Sequence, residues 1–107
     1  MSDDVIDEIR AERIRQISQE GWTAQHDDRH HQHGELSWAA ACYCLHAGNE
    51  VSPSFVGYWS PPPSHWPFEE RWWKPKTVRR DLVRAAALIV AEIERLDRES
   101  QKPPESR

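Results

Sequence analysis

Between Val51 and Lys76 the chain carries six prolines, at positions 53, 61, 62, 63, 67 and 75. Proline has no backbone N–H and clashes with the preceding helical turn, so regular helix is excluded over much of this span. A connection this long inside a compact domain is uncommon, and is usually either functional or disordered. Composition argues for the first. Phe55, Tyr58, Trp59, Trp66, Phe68, Trp72 and Trp73 fall within it, seven of the ten aromatic residues, whereas disordered segments are poor in aromatics. The stretch 51–76 is therefore expected to be an ordered aromatic flap between two helical halves.

On either side the apolar residues recur at helical spacing. Asp3 or Asp4 can cap a first helix that runs to about Glu20, with Val5, Ile6, Ile9, Ile14 and Ile17 on one broad side and Arg10, Glu12 and Arg15 largely opposite. Gly21 ends it, and Trp22 is placed to contact the helix end. A second helix, 35–47, reads "ELSWAAACYCLHA", apolar nearly all round and hence expected to be the most buried, with Gly48-Asn49 as its stop. Thr77 is a candidate N-cap for a third helix reaching about Arg98. Its stripe of Val78, Leu82, Ala85, Ile89, Ile93 and Leu96, widened by Val83, Ala86 and Val90, could pack on the other helices or on a partner chain. No strand-like alternation of length appears. The expected class is all-α: a three-helix core in one domain, 1–100, with a disordered tail at 101–107. Roughly 80 packable residues make a marginal core, so completion by homo-oligomerisation is expected.

Charge and cysteines narrow the setting. Residues 1–50 hold ten acids and four bases, and residues 51–107 hold eight acids and ten bases. A net charge of −4 disfavours bulk DNA binding. Cys42 and Cys44, two apart on a helix, point in different directions and can neither pair nor share one metal. No apolar leader opens the sequence and no run approaches ~18 apolar residues. A cytoplasmic protein without a membrane partner is expected.

Two segments could carry chemistry. His26 to Glu35 reads "HDDRHHQHGE". If it is helical, His26 and His30 lie one turn apart with His33 nearby, a set acceptable to zinc or manganese. Zinc is disfavoured because small structural sites generally use thiolates, and the rival is a polar loop leading into the second helix. The His26-Asp27 doublet lacks the upstream histidine that His-Asp phosphohydrolases need. Glu35 sits in a first helical turn, where the dipole favours a carboxylate. Alternatively Glu20, Asp27, Asp28 and Glu35 converge as oxygen ligands for Mg²⁺.

The other segment is "WWKPKTVRRDL", with Arg79 and Arg80 in a first helical turn where cations oppose the dipole. With Lys74 and Lys76 they could form an anion pocket. Trp66, Trp72 and Trp73 would offer stacking faces, and His26 and His30 a polar rim. This is the composition of a nucleotide site. The rival is that the arginines pair with the acidic first half and the tryptophans cover core. Glu94 and Asp97, one turn apart, read as a solvated face.

The runs "ERIRQISQEGW", "HDDRHHQHGEL" with "AAACY", and "WWKPKTVRRDLVRAAALIVAEIERLDR" together resemble a family of small proteins encoded by phages and prophages, over residues ~10–98. That resemblance implies an infected or lysogenic bacterial host and no settled activity. More distantly, the helices and acids resemble the all-α, MazG-like nucleoside triphosphate pyrophosphohydrolases. Glu94/Asp97 would supply their E-x-x-D motif, while Asp7, Glu8 and Glu12 match the E-E-x-x-E motif with one residue too many. Three functions follow as expectations. The first is binding of a nucleotide-like signal, sequestering it from host defence. The second is Mg²⁺-dependent hydrolysis with His26 or His30 as general base. The third is inhibition of a host defence protein by direct contact.

Overall fold

The computed structural model describes residues 2–51 and 65–102. Within them the chain is all-α, with four helices: α1 (Ser2–Glu20), α2 (Ala24–His30), α3 (Glu35–Val51) and α4 (Val78–Ser100). One 3-10 turn, Glu70–Trp72, precedes α4. Phe55, Tyr58, Trp59 and most of the expected flap, together with the tail from 103, lie outside the described residues.

Local chemistry accounts for most helix ends. Gly21 takes φ +74°, a left-handed turn open to glycine at no steric cost. It reverses the chain so that the Trp22 amide donates back to the Gln16 carbonyl. Thr77 caps α4 by accepting from the Arg80 amide. Two expectations need correction. α3 does not stop at Gly48-Asn49 but runs on to Val51, because Gly48 keeps a negative φ and the helix simply continues through it. And "AQHDDRH" is a helix rather than a loop, capped by Thr23, whose hydroxyl accepts from the His26 amide. Seven residues with no apolar stripe give no periodic signal, so a short fourth helix accompanies the three expected, and none of its residues belongs to the hydrophobic core.

The largest helix–helix contact is α3 on α4, with α1 and then α2 against α4. Ala39, Ala40, Ala85 and Ala91 let α3 and α4 approach closely, around Leu36, Tyr43 and Leu88. Trp22 joins this core, and Trp66, Phe68 and Trp73 pack over it.

The helices face the opposite way from the simple amphipathic reading. On α1 the buried residues are Glu12, Arg13 and Gln16, while Val5, Ile6, Ile14 and Ile17 are exposed. On α4, Asp81, Arg84, Glu92 and Arg95 are buried, while Leu82, Ile89, Ile93 and Leu96 are about half exposed. Buried charge is costly unless paired or hydrogen-bonded, and each of these groups has at least one hydrogen-bond partner. Glu12 accepts from Arg15, Gln16 and Arg80. Glu92 takes Arg95 through two nitrogens. Asp81 accepts from the Lys76 amide and holds His46, and Arg84 reaches the Lys74 carbonyl and Tyr43.

Candidate functional site

The turn at Gly21 and the short α2 bring one corner of the molecule together. Asp27, one turn into α2, is fully buried. Its Oδ2 accepts from Arg13 at 3.2 Å and its Oδ1 lies 2.9 Å from Nδ1 of His31. Arg13 also donates to the Trp22 carbonyl and to Glu94, so one guanidinium ties α1 to the turn, to α2 and to α4. Arg98 closes the other side with a forked grip on Asp28.

Against this corner lies a cleft of about 360 Å³, lined by Trp22, His26, His31, Phe68 and Trp72, with Glu20, Pro67 and Glu69 completing the lining. Its rings interlock, with Phe68 5.0 Å from Trp22 and 5.1 Å from His31, and Trp72 6.4 Å from Trp22. A separate recess of about 10 Å³ shares Glu20, Trp22 and Trp72 with the cleft and is lined as well by Glu12, Arg15, Gln16, Tyr43 and Arg84, room for roughly one water. Gln16 Oε1 and Arg84 Nε are buried there with no hydrogen-bond partner. Such orphans are uncommon and call for a polar guest.

Electrostatics follow the packing. Burial pushes the Glu12 carboxyl up, but Arg15, Arg80 and Arg84 outweigh it and hold the group below its ordinary value. Burial, then the neighbouring His31 and His30, lower His26 despite Asp27. Burial raises Glu35, but the amides of Glu35 and His33 bring it below the usual carboxylate range. The Cys42 thiol is pushed up to about 11 by burial alone, which leaves it protonated and inert at neutral pH.

These directions fix a pH dependence. A group whose folded pKa is depressed adds stability that is full above its unfolded pKa and is lost as pH falls through the folded value. Both His26 and Glu12 are of this kind. Chemical denaturation should therefore show stability falling first below about 6.5, the ordinary histidine value, and further below 4.5, the ordinary glutamate value. His26→Gln should remove the first decline and leave the second.

The residues singled out in the sequence are distributed unevenly. Trp72 and His26 line the cleft, and Lys74 places its ammonium 5.1 Å from the Trp72 ring centre. Trp66 lines the recess, whereas Trp73 stacks on Tyr43 at 4.9 Å as core cover. His30 is exposed beside His26, with ring centres 4.7 Å apart. Arg79 and Arg80 do not form a clamp with Lys74. Arg79 binds Glu8 through two nitrogens at 2.7 Å and Arg80 binds Glu12, so the acidic first helix claims both. Nor do the four Mg²⁺ candidates converge: Glu20 is taken by Arg15, Asp27 by Arg13, Asp28 by Arg98, and Glu35 accepts from the His33 amide.

Several site residues had no place in the sequence reading: His31, Trp22 as a cleft wall, Phe68, Gln16 and Arg84. For His31 a signal existed, since Asp27 and His31 stand four apart and share a helical face. Comparison with protein-family models, curated proteins and solved structures returns no match to this chain.

Proposed function

We propose that the cleft binds a nucleotide or nucleotide-like small molecule, with its base inward and its phosphate at the mouth. The observation that carries this reading is the aromatic-walled cleft, where Trp22, Phe68 and Trp72 stand beside the imidazoles of His26 and His31. Concave sites lined by aromatic side chains with a few polar groups are a usual form of small-molecule site. Arg71 and Lys74, 5.3 and 5.1 Å from the centre of the Trp72 ring, are the cations nearest the stacking face. In this reading they take the phosphate role first assigned to Arg79 and Arg80. The resemblance to phage-encoded proteins suggests the biological use, sequestration of a host signal.

A thermal-shift screen of mono-, cyclic and dinucleotides, each with and without divalent metal, tests it. Ligand at 100-fold its Kd should stabilise the protein by about 2.7 kcal/mol. No shift with any nucleotide would overturn the reading.

We also propose that the chain pairs with a second copy through α4. Leu82, Ala86, Ile89, Ile93 and Leu96 follow one another at steps of four, three, four and three, the seam spacing of helices that pack along one another. Four of these five are exposed large apolar residues. A groove of about 300 Å³ between α1 and α4 is lined by Ile6, Ile9 and Val90 together with Arg10, Arg13 and Glu94. A second α4 has the matching spacing. Sedimentation should show a dimer for the native protein and a folded monomer for Ile89→Lys/Ile93→Glu. No self-association at micromolar concentration would contradict the pairing.

A further inference from the structure

We propose that His26, Asp27 and His31 bind a divalent first-row transition ion at the inner wall of the cleft. Among the described residues these three form the one group of potential ligands in which an atom from each lies within 4.8 Å of the others. The spacing suits an ion. Nδ1 of His31 is 2.9 Å and Nδ1 of His26 is 4.0 Å from Oδ1 of Asp27. These distances bracket the ~3.4 Å edge of a tetrahedron with metal–ligand bonds of about 2.0–2.1 Å.

The three groups are also prepared for coordination. His26 Nδ1 is buried and has no hydrogen-bond partner, so this ring nitrogen lacks the partner that a buried polar atom requires. Arg13 fixes Asp27 from its other oxygen, so Oδ1 is turned to the imidazoles. Outer partners of this kind orient metal ligands. His31 is buried at the C-terminal cap of α2, where its amide donates to the Asp27 carbonyl, so the ring has a fixed origin. Coordination through Nδ1 of His31 puts the imidazole proton on Nε2 and replaces the 2.9 Å contact with Asp27 Oδ1 by a shared ion, with side-chain shifts of about half an ångström.

The donor set limits the ion. Two imidazoles and one carboxylate, with the cleft supplying the remaining positions, suit zinc, cobalt, manganese or ferrous iron, whereas magnesium requires oxygen ligands. The sequence weighs against zinc because no thiolate is suitably placed, but that argument concerns closed structural sites. Three protein ligands with an open position are the arrangement of sites that exchange water or a ligand. The proposal stands without any nucleotide.

The test uses the full chain, purified without a polyhistidine tag, stripped with chelator and dialysed against Co²⁺ or Zn²⁺ alone. The expected result is one ion per chain, with a visible Co²⁺ absorption band. His26→Gln should weaken binding about tenfold or more, whereas His30→Ala and His33→Ala should leave it unchanged. His31→Gln should also weaken binding, with circular dichroism verifying that it folds; His26→Gln, on a half-exposed residue, decides the matter if it does not. Absence of saturable binding would overturn the proposal. So would undiminished binding by His26→Gln, or losses confined to His30→Ala and His33→Ala, since both would mark surface histidines as the ligands.

Discussion

Asp27→Ala should destabilise the protein by about 3–5 kcal/mol, the largest single effect among the charged residues. The reason is the state of what remains. Arg13 is almost wholly buried, with 8 % of its side chain exposed, and it donates to the Asp27 carboxylate, the Trp22 carbonyl and Glu94. Without Asp27 the guanidinium keeps one carbonyl and one half-exposed carboxylate, and the N–H group that faced Asp27 loses its acceptor. His31 loses its partner at the same time. Urea denaturation of native protein and Asp27→Asn separates the two parts: asparagine keeps the shape and one acceptor, so its cost should be smaller. A loss under about 1 kcal/mol for alanine would mean that Asp27 is not the buried anchor of α2.

Glu12→Ala should cost about 3 kcal/mol, the low end of the range for breaking a buried pair. Glu12 is as deeply buried as Asp27, but its partners differ. The side chains of Arg15 and Arg80 are 26 % and 32 % exposed, so both can turn to solvent when the carboxylate is removed. The informative control is Ile14→Ser on the outer side of α1. Exposed positions away from structural features usually change stability within about 0.5 kcal/mol. A polar residue that matters more than a neighbouring isoleucine is the signature of an inverted helix. Equal costs for the two variants would indicate that Ile14 faces the interior.

What could be read directly from the chain, and what could not, divides along local and long-range lines. The all-α class, the end of α1 at Gly21, the start of α3 at Glu35 and the cap of α4 at Thr77 depend on neighbouring residues, and all are legible in the sequence. Facing direction is not. A stripe such as Leu82, Ile89, Ile93 and Leu96 announces an apolar face but not what covers it, and the interior of α4 is instead built from alanines and paired charges. The destination of Arg79 and Arg80 is equally remote. Their partners Glu8 and Glu12 stand 71 and 68 residues away, and several acids could have taken them. In the candidate site, Trp72 and His26 were legible through composition, whereas Gln16, Arg84 and His31 acquire meaning only when the turn at Gly21 folds α2 back. The histidine-rich stretch contributes through His26 and His31, and His33 is largely exposed.

The most direct measurement is tryptophan fluorescence during titration with nucleotides, compared between native protein, Trp72→Phe and Trp72→Ala. Native protein should show saturable quenching, Trp72→Phe should bind with a reduced signal because Trp22 also walls the cleft, and Trp72→Ala should bind about 1–3 kcal/mol more weakly, the loss of one stacked base. Saturable binding of equal strength in native protein and Trp72→Ala would place the ligand elsewhere, and absence of binding to any nucleotide would contradict a nucleotide site altogether.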